Sequence, residues 1–160
     1  MVGISTLWLR YPKTNYPCST NNRRNFENQC AIRLGACLQN SGIDTDKLKV
    51  EKCWHHPTKE GHTLRARDLA RALSRGIVSG VGKKEEYENG IEGLTRIWGR
   101  RGIVYFKDFW EERPGSREGD HIDLWQMRRC KSFELPQVPA YQPGLAGDYE
   151  KGSIWFWPVL

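Results

Sequence analysis

The sequence predicts an α+β domain in which N-terminal helices pack on an antiparallel sheet, and three observations carry that prediction. Apolar residues recur at helical spacing through the first two thirds of the chain. The pattern breaks at Gly99-Arg100-Arg101-Gly102. Beyond that break the apolar runs are short, β-branched and aromatic, as strands are. Helices first and strands afterward favour α+β over an alternating parallel sheet. At 160 residues, one catalytic domain spanning 1–160 is the expected organisation.

Residues 1–24 hold a short apolar start, then Pro12, Pro17 and an Asn/Ser/Thr cluster, and read as loop-rich. A first strong helix is expected over residues 30–38, where Cys30, Ile32, Leu34, Cys37 and Leu38 share a broad face. Asn25 or Asn28 is placed to cap its start, and Ser41-Gly42 stops it. A turn-rich stretch at 57–61 leads to a second helical pattern carried by Leu64, Leu69, Ala70, Leu73 and Ile77. A shorter amphipathic segment over 87–98 is weakened by Gly90 and Gly93. Strands are expected at 102–106, 121–125 and 154–157, with a charged turn over 111–120 and a long Pro/Gly-containing loop over 136–152.

A composition of 38% hydrophobic and 28% charged residues belongs to a globular protein, and no apolar stretch is long enough to span a membrane. Membrane insertion is therefore not expected. The first ten residues lack the basic start, long apolar centre and small-residue cleavage site of a secretory signal, so the chain is expected to be made in the cytoplasm without one. A net charge of +6 suits an acidic partner, but Lys and Arg are spread along the chain rather than gathered in a nucleic-acid-binding arm. Nucleic acid is accordingly not an expected partner. Five cysteines show no CxxC spacing and no histidine at metal-finger distance, so neither a metal nor another cofactor is expected. An odd count leaves at least one thiol free, and the others, Cys53 and Cys130 among them, could pair in an oxidising compartment.

Cys30 is the cysteine with a physical reason to react. At a helix start, unpaired N–H groups and the helix dipole stabilise a thiolate, and the same N–H groups can face an oxyanion. Cys37, two turns on, loses both advantages. A thiol nucleophile needs an imidazole to take and return its proton. His55, His56 and His62 fall in turn-like sequence and read as surface residues, whereas His121 opens a strand directly after Gly119-Asp120, where a rigid element can fix it. Asp123 shares a strand face with His121 and can orient the imidazole, or it can pair with Arg33, one helical turn after Cys30, and clamp helix to sheet. Trp98, Trp110 and Trp125 read as core aromatics before groove-lining ones, and Arg100 and Arg101 as surface charge before ligands for substrate carboxylates.

Asn28-Gln29-Cys30-Ala31-Ile32-Arg33 and Gly119-Asp120-His121-Ile122-Asp123-Leu124-Trp125 resemble the type VI secretion amidase effectors of the fourth family. Ala66-Arg67-Asp68-Leu69-Ala70 and Gly102-Ile103-Val104-Tyr105-Phe106 extend the likeness, which runs from Asn28 to Trp155-Phe156-Trp157. The resemblance implies a papain-like, NlpC-type cysteine peptidase fold with Cys30 as nucleophile and His121 as base. It implies hydrolysis of the D-glutamyl–meso-diaminopimelate amide in peptidoglycan stem peptides, delivery by a secretion machinery into a target cell's periplasm, and a cognate immunity protein. The family's third catalytic group is an acid several residues beyond the histidine, where this chain offers Gln126 and no acid before Glu134. Asp123, Gln126 and Glu134 are thus the candidates for that role. Two rival readings stand beside this one: another thiol amidase or acyltransferase on the same scaffold, and a non-enzymatic basic module that binds polyanions.

Overall fold

The structure is a computed structural model that describes residues 1–14, 16–110, 114–115, 119–131 and 151–160. Among these residues a five-stranded, wholly antiparallel sheet in the order β3-β7-β4-β5-β6 organises the chain. Its strands are β3 (Glu85–Tyr87), β4 (Arg101–Trp110), β5 (Gly119–Gln126), β6 (Arg129–Cys130) and β7 (Ser153–Pro158). The strands expected around 102–106, 121–125 and 154–157 are its three central members. The 111–120 turn and the 136–152 loop lie mostly outside the described residues.

Alternation along β4 and β5 sends their side chains to two cores. Ile103, Tyr105, Ile122 and Leu124 join Trp157 on the face covered by α1 (Ile4–Arg10), α2 (Cys30–Asn40) and α3 (Ala66–Leu73). Val104, Phe106, Trp125, Ile154 and Phe156 pack on the opposite face with Ile97 of α4 (Gly90–Ile97). The architecture is α+β, with helices on both faces rather than on one. Several elements were not expected from the pattern, α1 and β3 foremost. Helix α1 lies in the stretch read as loop-rich, where Leu7 is buried and the Ile4 N–H donates to the Leu160 carbonyl. Strand β3 is half-polar, and its Glu85 holds Arg100 through two 2.7 Å bonds, while Arg100 stacks on Phe156. Alternation cannot mark a three-residue edge strand whose partners are so distant in sequence. A small hairpin, β1 (Ser19–Thr20) with β2 (Arg23–Arg24), turns through Asn21 and Asn22, both at positive φ.

Helix α2 begins and ends where the sequence predicts. The Asn28 side chain accepts the Cys30 N–H at 3.1 Å, and Ser41 closes the far end with N–H bonds to the Cys37 and Leu38 carbonyls. Every residue of the helix from Cys30 to Leu38 is buried. Such depth requires close approach on one side, which Gly35 provides: a Cβ there would collide with the Gly61 carbonyl and come within 2.5 Å of Thr63 Oγ1. Thr63 Oγ1 in turn donates to the Ala31 carbonyl at 2.7 Å, fixing the 61–63 segment along the helix. Gly35→Ala is therefore expected to destabilise the fold by about 1–3 kcal/mol through overpacking, read as a lowered thermal midpoint. An unchanged midpoint would show that the helix does not need this approach.

Candidate active site

Strand β5 is paired with β4 along its length, but β6 covers only Trp125 and Gln126. From His121 to Asp123 the outer edge of β5 therefore has no strand partner among the described residues. The N-terminus of α2 packs against this strand, and the backbone N–H of Ile122 is aimed at the Cys30 sulfur. Helix start and open strand edge thus satisfy each other: an N–H with no strand partner among the described residues donates to a sulfur whose anion it stabilises.

Cys30 is 2% exposed, His121 5% and Asp123 fully buried. Burial pushes the Cys30 thiol up, but the His121 hydrogen bond and charge, the Ile122 N–H and the Arg33 charge outweigh it, and the thiol sits below its ordinary value. Burial pushes His121 down, and bonds and charges from Asp123 and Cys30 overturn that, raising it to about 9. Both directions favour one state at neutral pH, a thiolate beside an imidazolium. His121 Nε2 lies 3.4 Å from Asp123 Oδ2. Since a carboxylate can only accept, that contact assigns the Nε2 proton to the Asp123 side and leaves Nδ1 to exchange a proton with the thiol.

Asp123 is itself held. Its Oδ1 accepts the Leu124 N–H at 2.7 Å. The Tyr11 hydroxyl faces it, pushed far up by burial and then by the Asp123 charge. The Cys130 thiol is also pushed well up by burial and then by Asp123, so it stays protonated beside the carboxylate. Ligand atoms of His121, Asp123 and Cys130 lie within 4.8 Å of one another. Arg33, buried on α2, acts on both the Cys30 thiol and the Tyr11 hydroxyl. Asp123 has the orienting geometry toward His121, and Arg33 lies in the same buried surroundings through its action on Cys30 and Tyr11. Tyr11 and Cys130 were not singled out as site residues, and no sequence pattern marks them, because only the fold brings the end of α1 and strand β6 to Asp123.

The remaining candidates separate cleanly. Gln126 sits at the far end of β5, paired with Arg101 and Arg129, and Glu134 and the Trp110 side chain lie outside the described residues. Trp125 is buried, with its indole N–H on the Ile97 carbonyl at 3.0 Å, whereas Trp98 is about half exposed. The Cys30 N–H donates to the Asn28 side chain at 3.1 Å. Residue Asp120, next to His121, accepts from the Tyr105 hydroxyl at 2.5 Å, from Arg67 at 3.1 Å and from the Asp108 N–H at 2.9 Å. Arg67 also reaches Asp108 at 2.8 Å, and its guanidinium is held charged first by Asp120. This network anchors the start of β5, where Asp108 adopts a positive φ at the irregular end of the β4–β5 pairing.

The three histidines read as surface residues are not alike. His55 is exposed, but His62 is buried and lies, with His56, against Cys18 and Cys53. Those four residues, scattered over the sequence, bring their ligand-type atoms within 4.8 Å of one another. Spacing along the chain gave no sign of this, because Cys18 comes from a separate segment. All five cysteines are free thiols.

Residues 26–157 match the family described as type VI secretion system (T6SS), amidase effector protein 4. The chain belongs to this family. The matched region of this amidase effector takes in the whole of α2, α3 and the five-stranded sheet up to Trp157. A comparison with curated proteins finds no significant match. No helix among the described residues is long and apolar enough to cross a membrane.

The charged pair has a basic limit set by His121. Amide hydrolysis is expected to hold to about pH 9 and to fall above it as His121 loses its proton. In Asp123→Asn a neutral amide no longer favours the imidazolium, so the basic limb should move toward the ordinary imidazole value, and turnover should fall by roughly 10²-fold or more. A basic limb that does not move would show that Asp123 does not govern His121.

Proposed function

We propose that the protein is a cysteine endopeptidase of peptidoglycan that cleaves the amide between D-glutamate and meso-diaminopimelate in stem peptides. The observation that carries this reading is a buried thiol at a helix start, hydrogen-bonded to an imidazole whose Nε2 lies 3.4 Å from a carboxylate. Membership of an amidase effector family supplies the bond class, and the motifs around Cys30 and His121 supply the likeness to that family's substrate. Helix α2 set against an antiparallel sheet supports a papain-like, NlpC-type catalytic unit, and the single domain spans residues 1–160.

In the reaction the Cys30 thiolate adds to the amide carbonyl carbon, and the carbonyl electron pair moves to oxygen. Collapse of the tetrahedral intermediate expels the diaminopimelate amine, which takes its proton from the His121 imidazolium. A thioester to D-glutamate remains on Cys30. Water, deprotonated by neutral His121, adds to the thioester and releases the D-glutamate carboxylate and the thiolate, restoring the pair. Asp123 keeps the imidazole in one tautomer and stabilises its charged form; it is a positioning residue. The effector is made in the producing cell, passes through the secretion machinery, and acts in the periplasm of the target cell. A cognate immunity protein that fills the cleft protects sister cells.

Defined muropeptides digested with the wild type are expected to yield fragments that end in D-glutamate and fragments that begin with diaminopimelate, identified by mass spectrometry. Cys30→Ala and His121→Ala should each lower the rate by at least about 10³-fold, and the double variant should be no slower than either single one. Cleavage at near wild-type rate in Cys30→Ala would overturn the mechanism. Cleavage of a different amide would retain the thiol enzyme and reject the substrate.

A further inference from the structure

The cluster of Cys18, Cys53, His56 and His62 lies outside the catalytic residues and is built from three separate parts of the chain. Cys53 and His62 stand on adjacent extended segments, joined by the bond from the Cys53 N–H to the His62 carbonyl at 2.9 Å and by the Lys52–Thr63 bridge. Between them the chain makes a tight turn that ends in Gly61 at a φ of +73°. Cys18 arrives from just before the β1–β2 hairpin. Its backbone N–H and carbonyl are both bound by the Gln29 side chain, each at 2.9 Å.

Three sulfur–nitrogen distances across the cluster fit a tetrahedral metal shell. His56 Nδ1 lies 3.5 Å from Cys18 Sγ and 3.5 Å from Cys53 Sγ, and His62 Nδ1 lies 3.6 Å from Cys53 Sγ. Zinc–sulfur bonds of about 2.3 Å and zinc–nitrogen bonds of about 2.05 Å at tetrahedral angles put sulfur and nitrogen about 3.6 Å apart. His56 Nδ1 is equidistant from the two sulfurs, as a ligand sharing one ion with both would be. The surroundings also match the needs of bound ligands. His62 turns its other ring nitrogen to the Glu60 carboxylate at 3.6 Å, the outer partner that fixes a metal-bound imidazole. The Asn25 side-chain amide approaches Cys18 Sγ at 3.5 Å, as a donor to a thiolate would. Cys18, Cys53 and His62 are buried and His56 half-buried, which favours a closed structural site over an open catalytic one.

We propose that Cys18, Cys53, His56 and His62 form a structural zinc site that pins the 18–29 segment, and with it the residue preceding Cys30, to the 53–62 segment. Two thiolates and two neutral imidazoles leave the bound divalent ion with no net charge, which suits burial. Binding displaces two thiol protons, so affinity falls as pH is lowered.

The test uses the untagged, full-length chain purified from the cytosol under reducing conditions without chelator. Elemental analysis should find one zinc per chain in the wild type and in Cys30→Ala, and background levels in Cys53→Ser and Cys18→Ser. Wild-type protein stripped by chelator and titrated with cobalt(II) should develop the intense visible bands of a tetrahedral site, with thiolate charge-transfer absorption in the near ultraviolet. His62→Ala should weaken those bands while leaving a thiolate signal, which keeps the test readable if a cysteine variant fails to fold. Wild-type protein without zinc that also gives no cobalt spectrum would overturn the proposal. So would zinc that is lost in Cys30→Ala but kept in Cys18→Ser, or a Cys18–Cys53 disulfide in chain taken directly from the cytosol.

Discussion

The N-terminus of α2 docks on a stretch of β5 that no strand covers among the described residues, and the rest of the site depends on that contact. A strand edge left open is a liability, because its N–H and C=O groups seek partners. Here the Ile122 N–H turns to the Cys30 sulfur. A helix start has the matching deficit, an excess of positive potential with no anion to receive it. The thiolate is the group that answers both, and burial alone would have protonated it. Burial raises the Cys30 thiol, and the hydrogen bond and charge of His121, one residue before Ile122 on the same strand, do most to bring it down again. One secondary-structure contact therefore brings the Cys30 thiol, the His121 imidazole and the Asp123 carboxylate together.

The outer layers hold that contact in place rather than add chemistry. Asp120, held by Arg67, Tyr105 and the Asp108 N–H, anchors the start of β5 one residue before His121. Asp123, held by the Leu124 N–H and faced by Tyr11 and Cys130, steadies the imidazole two residues later. On the helix side, Gly35 lets the 61–63 segment lie directly against α2, and the Asn28 side chain, just before the Gln29 cap, holds the N–H of Cys30. Each device acts within a residue or two of the reacting atoms, so small displacements of either element would be felt in the Cys30–His121 pair.

Much of this was legible in the sequence, for reasons that can be stated. The apolar stripe from Cys30 to Leu38 and the alternation around His121 and Asp123 are periodic patterns of sufficient length, and they placed the central helix and strands. The choice of His121 over three other histidines rested on a strand following Gly119-Asp120. What sequence could not supply are contacts between segments with no shared pattern. Helix α1 is short and was hidden by the prolines that follow it, so Tyr11 was not foreseen beside Asp123. His62 reads as a loop residue because Gly61 precedes it, yet the same glycine makes the turn that buries it. Cys18 is 35 residues from Cys53, and its place is fixed by contacts far from it in sequence, the Gln29 side chain on its backbone and His56 at its sulfur.

The central claim is that Cys30 is a thiolate because His121 is its imidazolium partner across the α2–β5 contact. The direct measurement is the pH titration of thiolate ultraviolet absorbance, taken as the difference between wild type and Cys30→Ser so that the other four cysteines cancel. The account predicts a difference signal already present at neutral pH, with a midpoint below the ordinary thiol range, which moves up through that range when His121 is replaced by glutamine. A Cys30 signal that appears only at or above the ordinary thiol range in the wild type, or one indifferent to His121→Gln, would contradict it.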